Sequence, residues 1–245
     1  MATDKTIIME TGTLFLKNLK KTYGNKTAVN ITSLEIQPQT FTCIVGKSGC
    51  GKTTLLRLLA GLEIPDTNTK SITGLPAKTA PVFQEPRLMP WLTVKENIMF
   101  SLKGQNGMPA AEERCMQLLK ELELTEAAGL YPAQLSGGMA QRVSLGRTLF
   151  YDPELILMDE PFSALDYFTR RNLQDMVLRL FRHQQKTILF VTHDVEEALL
   201  LGDRILVMEN GSIKADMPVN LPFPRQAADP SLQEMRQQIL DLLAE

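Results

Sequence analysis

The sequence predicts an α/β fold: a parallel sheet, with an α-helical subdomain inserted between two of its strands. Three observations carry this. An apolar, β-rich run, Phe41 to Val45, leads into a glycine loop and then a helix-forming stretch. A second apolar run, Leu155 to Met158, ends in two acids, Asp159 and Glu160. Between them the pattern turns helical, with Met116-Gln117-Leu118-Leu119-Lys120-Glu121-Leu122 at helical spacing and Ala110 to Leu124 rich in helix formers.

Residues from Leu14 to Gln84 read as an edge sheet followed by the loop strand and its helix. Gly46-Lys47-Ser48-Gly49-Cys50-Gly51-Lys52-Thr53 fits the phosphate-loop pattern G-x-x-x-x-G-K-[ST]. With little side-chain bulk, successive backbone N–H groups can converge on the phosphate oxygens of ATP. The helix from about Lys52 to Leu59, closed by Gly61, adds the positive end of its dipole. Lys52 supplies a point charge for the β/γ-phosphates, and the Thr53 hydroxyl is placed to ligate Mg²⁺. Gly46 through Thr54 are therefore the candidate nucleotide-contacting residues. Lys47 either adds a second charge beside the phosphates or points to solvent. Cys50 is either a small filler or a thiol whose alkylation would block ATP.

Leu155 to Met158 should be a central parallel strand, apolar because both faces are covered. Open α/β sheets place their ligands at the carboxyl ends of such strands. There Asp159 can hold Mg²⁺ through water, and Glu160 can act as general base on the attacking water. Strands return at Thr187 and Arg204. A tail from Asp216 carries Pro218, Pro222 and Pro224. Asp229 then caps a last helix with Pro230 at its first position. Leu232, Met235, Ile239 and Leu242 line the face that should pack on the main body.

The chain has 245 residues, 44% hydrophobic and 22% charged, as in an ordinary soluble globular protein. A formal net charge of −2 argues against a broad nucleic-acid surface. No apolar run approaches the length needed to span a bilayer. Met1-Ala2-Thr3-Asp4-Lys5 lacks the plan of a secretion signal. Cys43, Cys50 and Cys115 have no metal-ligand spacing, and a reduced cytosol fits them.

The ordered set of motifs resembles the ATP-binding subunits of ABC transporters, from about Leu14 to the end. Leu135-Ser136-Gly137-Gly138-Met139 is similar to the family's signature motif, and Gln141-Arg142-Val143 continues its helix. Gln84, in Val82-Phe83-Gln84-Glu85, is similar to the glutamine that touches the metal and the attacking water. Ser163-Ala164-Leu165-Asp166 is similar to the aspartate loop at the dimer interface. His193, after the strand ending at Val191, is similar to the switch histidine at the γ-phosphate. Tyr23 sits where the family stacks an aromatic on adenine, though an aromatic before a strand can also simply pack. The sequence departs from the family at Lys47, where proline is common, at Ala140, where Arg or Gln is common, and in a short segment from Asp66 to Ala80.

The resemblance implies a single domain over 1–245. A P-loop NTPase (RecA-like) core with its antiparallel β edge sheet spans 1–85 and 150–215, an inserted α-helical signature subdomain 86–149, and the tail 216–245. It implies a homodimer in the ATP-bound state, each site taking Ser136, Gly137, Gly138 and Asp166 from the opposite copy. It also implies transmembrane permease subunits, an extracytoplasmic substrate-binding protein acting indirectly, and a place at the cytoplasmic face of the membrane. Leu88-Met89-Pro90-Trp91-Leu92-Thr93-Val94 reads either as core or as a groove for a short permease helix. That segment, Pro161 to Asp166 and Leu221-Pro222-Phe223-Pro224-Arg225 look most like the nitrate, sulfonate and taurine importers. An exporter ATPase and a soluble cofactor-assembly ATPase stay open as alternatives.

Overall fold

Residues 12–66, 69–102 and 108–244 are described by a computed structural model. The reading of the first five residues falls outside them. The elements run β1 (Leu14–Tyr23), β2 (Lys26–Ile36), β3 (Phe41–Val45), α1 (Lys52–Leu59), β4 (Ile72–Thr73), β5 (Thr79–Val82), α2 (Val94–Ile98) and α3 (Met108–Glu121). They continue as α4 (Gly137–Tyr151), β6 (Leu155–Asp159), α5 (Tyr167–His183), β7 (Thr187–Thr192), α6 (Val195–Leu201), β8 (Arg204–Glu209), β9 (Ser212–Pro218) and α7 (Pro230–Ala244).

The main sheet has the order β5-β6-β7-β3-β8-β9, and the first five strands in that order pair in parallel. Along β3 and β6 successive residues serve opposite cores. Cys43, Val45, Ile156 and Met158 face one, and Ile44, Leu155 and Leu157 the other. This is why both strands read as unbroken apolar runs. β9 departs from the parallel pattern. It folds back antiparallel on β8 through Asn210 and Gly211, both at positive φ. The chain is therefore still strand at Asp216, and the tail begins after Pro218. Only part of β9's side-chain surface is covered, which leaves it with no apolar signature.

The edge sheet is antiparallel in the order β2-β1-β4. The short 66–80 segment leaves β4 only two residues, Ile72 and Thr73, which pair with Leu16 and Phe15. The smaller core joins this sheet and α1 to the main sheet, through Leu16, Leu19, Val29, Leu55 and Val191. The larger core gathers the helices on the opposite face, through Ile98, Leu119, Val143, Phe190 and Leu232. In α7, Leu232 and Ile239 are buried while Met235 and Leu242 pack against the same core, as their spacing predicts. Asp229 caps the helix, accepting the Ser231 N–H at 2.8 Å.

Candidate active site

The turn from β3 into α1 and the end of β6 build one side of the site. A cavity of about 290 Å³ is lined by Tyr23, Lys26, Ser48, Gly49, Lys52, Thr53, Thr54 and Glu160, among others. Gly51 sits at φ 112°, and a Cβ there would lie 1.9 Å from the Ala28 carbonyl oxygen. That glycine is therefore required by the approach of β2 as well as by a phosphate. Lys52 is 5% exposed. Its Nζ donates to the carbonyls of Gly46 at 2.7 Å and Lys47 at 3.2 Å. The Lys47 side chain is exposed and lines the neighbouring hollow with Lys26 and Cys50.

Two carboxylates end β6 in different surroundings. Thr53 Oγ1 donates to Asp159 Oδ1 at 3.1 Å. Burial pushes the Asp159 carboxyl above its ordinary range; Thr53 opposes this, Glu160 adds to it, and Arg57 and Lys52 oppose it. Glu160 holds a left-handed backbone at φ 45°, a conformation costing a non-glycine residue about 1–3 kcal/mol. Its N–H donates to the Val191 carbonyl at 2.9 Å, and its own carbonyl accepts from Ser163 Oγ at 3.0 Å. This turn aims the carboxylate at the loop that follows β7, where His193 Nδ1 lies 2.7 Å from Glu160 Oε2.

Mg²⁺ takes oxygen donors, commonly one or two carboxylates completed by phosphate and water. The Thr53 hydroxyl beside the Asp159 carboxylate fits that demand. Among the described residues no group of three or more His, Cys, Asp and Glu could hold a metal by itself, and Mg²⁺ bridging to phosphates needs none.

The remaining motif residues form a second group, which does not line that cavity. Ser136 caps α4, its Oγ accepting the Met139 N–H at 3.2 Å. A Cβ on Gly138 would lie 2.5 Å from Thr169 Cγ2, so any larger residue there displaces the Thr169 side chain on α5. Asp166 caps α5, accepting the N–H groups of Phe168 and Thr169 at 3.1 Å each. Its hydrogen bonds, that with the Thr169 side chain first, hold the carboxyl below its ordinary range.

Gln84 is exposed just past β5 and does not line the cavity either. Its loop is tied to α4 by Gln141, which the motif reading took only as a continuation of the signature helix, and by Arg147, and to α2 by Asn97, both of which it passed over. Gln141, 2% exposed, donates to the Phe83 carbonyl at 3.4 Å. Arg147 donates to the carbonyls of Pro86 and Arg87, each at 3.0 Å. Buried Asn97 gives its amide to Met89, Leu92 and Thr93 carbonyls and accepts the Met89 N–H. The available signal was a polar residue at an inward helical position. Trp91, 67% exposed, is not core. Beside it Leu92, Lys95, Met99, Phe100 and Gly129 line a groove of about 660 Å³.

A family model described as ABC transporter matches residues 29–163. The aliphatic sulfonates import ATP-binding protein SsuB of Granulibacter bethesdensis is 43% identical over 96% of this chain and 95% of its own. The SsuB 2 protein of Pseudomonas syringae pv. tomato is 45% identical over 90% of this chain and 94% of its own. The solved dimeric structure of an ATP-binding cassette in a post-hydrolysis state with ADP and Pi is also similar. It superposes with a TM-score of 0.72 at 31% identity, over 85% of this chain and all of that one. The α/β fold, the phosphate loop and the sequence agree in one assignment: this chain belongs to the ABC transporter family, as an ATP-binding subunit that hydrolyses ATP.

Proposed function

We propose that this chain energises uptake of a small sulfonate-like anion, within the nitrate, sulfonate and taurine class, as the ATPase subunit of a membrane importer. One observation carries the mechanism. The motif residues fall into two groups, the phosphate-loop cavity with Glu160 and His193, and the separate Ser136–Gly138 and Asp166 group. A head-to-tail pair of chains would bring the second group of each copy over the cavity of the other. ATP would then close two sites between them. Identity of 43% and 45% to the SsuB relatives, over nine-tenths or more of each chain, supports the solute class.

In this reading the loop N–H groups, the α1 dipole and Lys52 bind the triphosphate. Tyr23 offers its ring to adenine. Thr53 and Asp159 would hold Mg²⁺, with Gln84 at its edge, and the ion would neutralise charge developing on the phosphates. Glu160 takes the proton of the attacking water. His193 orients Glu160 and reaches the γ-phosphate. Ser136 and Gly138 of the second copy face that phosphate from the other side, with the α4 dipole behind them. The groove beside Trp91 receives a short helix of the permease, which places the chain at the cytoplasmic face of the membrane. No helix among the described residues is long and apolar enough to cross a bilayer. The extracytoplasmic binding protein acts only through the permease.

Mixed copies test the shared site. Lys52→Ala and Ser136→Arg should each abolish ATP turnover. Mixing the two variants should restore part of it, because one site of the mixed pair keeps both intact halves. A mixture as inactive as its components would overturn the shared site.

A further inference from the structure

Away from the phosphate loop, α5, α6 and the stretch after β9 enclose a cavity of about 570 Å³. That volume suits a small molecule. Leu178, Leu200 and Phe223 give it apolar walls. Its charge is one-sided: Arg171, Arg179, Arg182 and Arg225 line it, against the single acid Asp175.

Two of the four cations are committed to the walls. Arg225 donates to the carbonyls of Leu199, Gly202, Val219 and Leu221. Arg182 pairs with Asp203 at 2.6 Å. Their guanidiniums lie 3.8 and 3.5 Å from the centre of the Phe223 ring, which they brace. Arg171 and Arg179 stand one helical turn to either side of Asp175 on α5. Neither makes a hydrogen bond or ion pair among the described residues. Two uncommitted guanidiniums beside the apolar side chains of Leu178 and Leu200 match an anion that carries an apolar body.

We propose that this cavity binds a small organic anion, its charged group on Arg171 and Arg179 and its body against Leu178 and Leu200. A ligand there would bridge α5 and α6, which begin just after Asp166 and His193 respectively. The site would thus bear on both groups of motif residues. The inference does not depend on the import reading.

The test is calorimetric titration of the full chain at fixed ionic strength, with saturating Mg–ADP to occupy the phosphate loop. Benzenesulfonate, benzoate and phenyl phosphate share one body and differ in headgroup. Benzyl alcohol lacks the charge, and inorganic sulfate lacks the body. At least one of the three ring anions should bind saturably, one per chain, and about tenfold or more tighter than either control. The preferred headgroup identifies the source, an imported sulfonate or a cytosolic carboxylate or phosphate ester. Arg171→Gln with Arg179→Gln should lose that binding while ADP affinity and melting temperature stay put, and the paired lysine variant should recover part of it. No saturable binding by any ring anion at millimolar concentration, or equal binding by the glutamine variant, overturns the proposal.

Discussion

His193 Nδ1 lies 2.7 Å from Glu160 Oε2, and the contact joins two loops that follow neighbouring parallel strands, β6 and β7. The Glu160 side chain is mostly covered, whereas that of His193 is 62% exposed. An exposed imidazole that donates to a shielded carboxylate can fix its direction and still swing to a ligand.

Glu160→Gln should therefore lower ATP turnover by about 10²–10⁴-fold, the usual worth of a general base. Nucleotide binding should persist, because Lys52 and the loop are untouched. Steady-state hydrolysis and equilibrium ATP binding on the same sample check this, with sizing in ATP expected to reveal a trapped dimer. A normal turnover rate would remove Glu160 from the chemistry. His193→Ala should also slow turnover, since it deprives Glu160 of its orienting partner.

The motif glycine Gly138 has a packing reason to be there. Gly138→Ala would press a methyl group into Thr169 Cγ2, at 2.5 Å. Overpacking of this kind costs about 1–3 kcal/mol. Urea unfolding should register the loss. Thr169→Ser in the same chain should restore most of it, because serine keeps the hydroxyl near Asp166 and removes the offending carbon. If Thr169→Ser restores nothing, the close approach is not the cause.

How much of this was legible depends on whether a residue's role is local. The phosphate loop, the β6 acids and the α7 face were readable because each is set by spacing along one element. β9 was not, because a half-covered edge strand has no apolar run and its partner β8 is supplied by tertiary structure. The bracing role of Gln141, named only as part of the signature helix, and those of Arg147 and Asn97 were missed for a related reason. Their partners are backbone carbonyls, which carry no sequence signal, and two of the three reach far along the chain. Trp91 could be read either way from composition, and only its exposure separates groove from core. Asp166 was named from its motif, and what the structure shows of it is a local role, the cap of α5.

The three thiols should separate by reactivity. The thiolate is the nucleophile, so a raised pKa protects. Burial pushes the Cys115 thiol up to about 11, with Lys95 opposing and Glu112 adding. Burial also pushes Cys43 well up, reinforced by Glu197 and Asp203. Cys50 is 8% exposed and sits in the phosphate loop, its Sγ 3.9 Å from Lys52 Nζ. N-ethylmaleimide near neutral pH should modify Cys50 first, by peptide mass mapping, and MgATP should slow it. Cys115 and Cys43, both without exposed surface, should label only once the chain is unfolded. Equal labelling of all three in the folded chain would contradict this ordering.

Glu197 braces the loop that carries His193. It is 5% exposed and accepts from Gln174 Nε2 at 2.9 Å. Burial raises its pKa, the hydrogen bonds from Thr192 and Gln174 oppose the rise, Asp194 adds to it, and Arg170 opposes it. A carboxyl whose pKa is raised by folding keeps its proton where the unfolded chain has lost it. Native stability from this group therefore falls as pH rises through the interval between the ordinary glutamate value and the raised one. Glu197→Gln removes the charge but keeps an acceptor for Gln174. Its melting temperature relative to the parent should climb across that interval and level off above it. Glu197→Ala instead leaves Gln174 unpaired and should cost about 1–3 kcal/mol. It should slow ATP turnover as well, because Thr192 and Glu197 flank His193. A pH-independent difference between the glutamine variant and its parent would show that folding does not raise the Glu197 pKa.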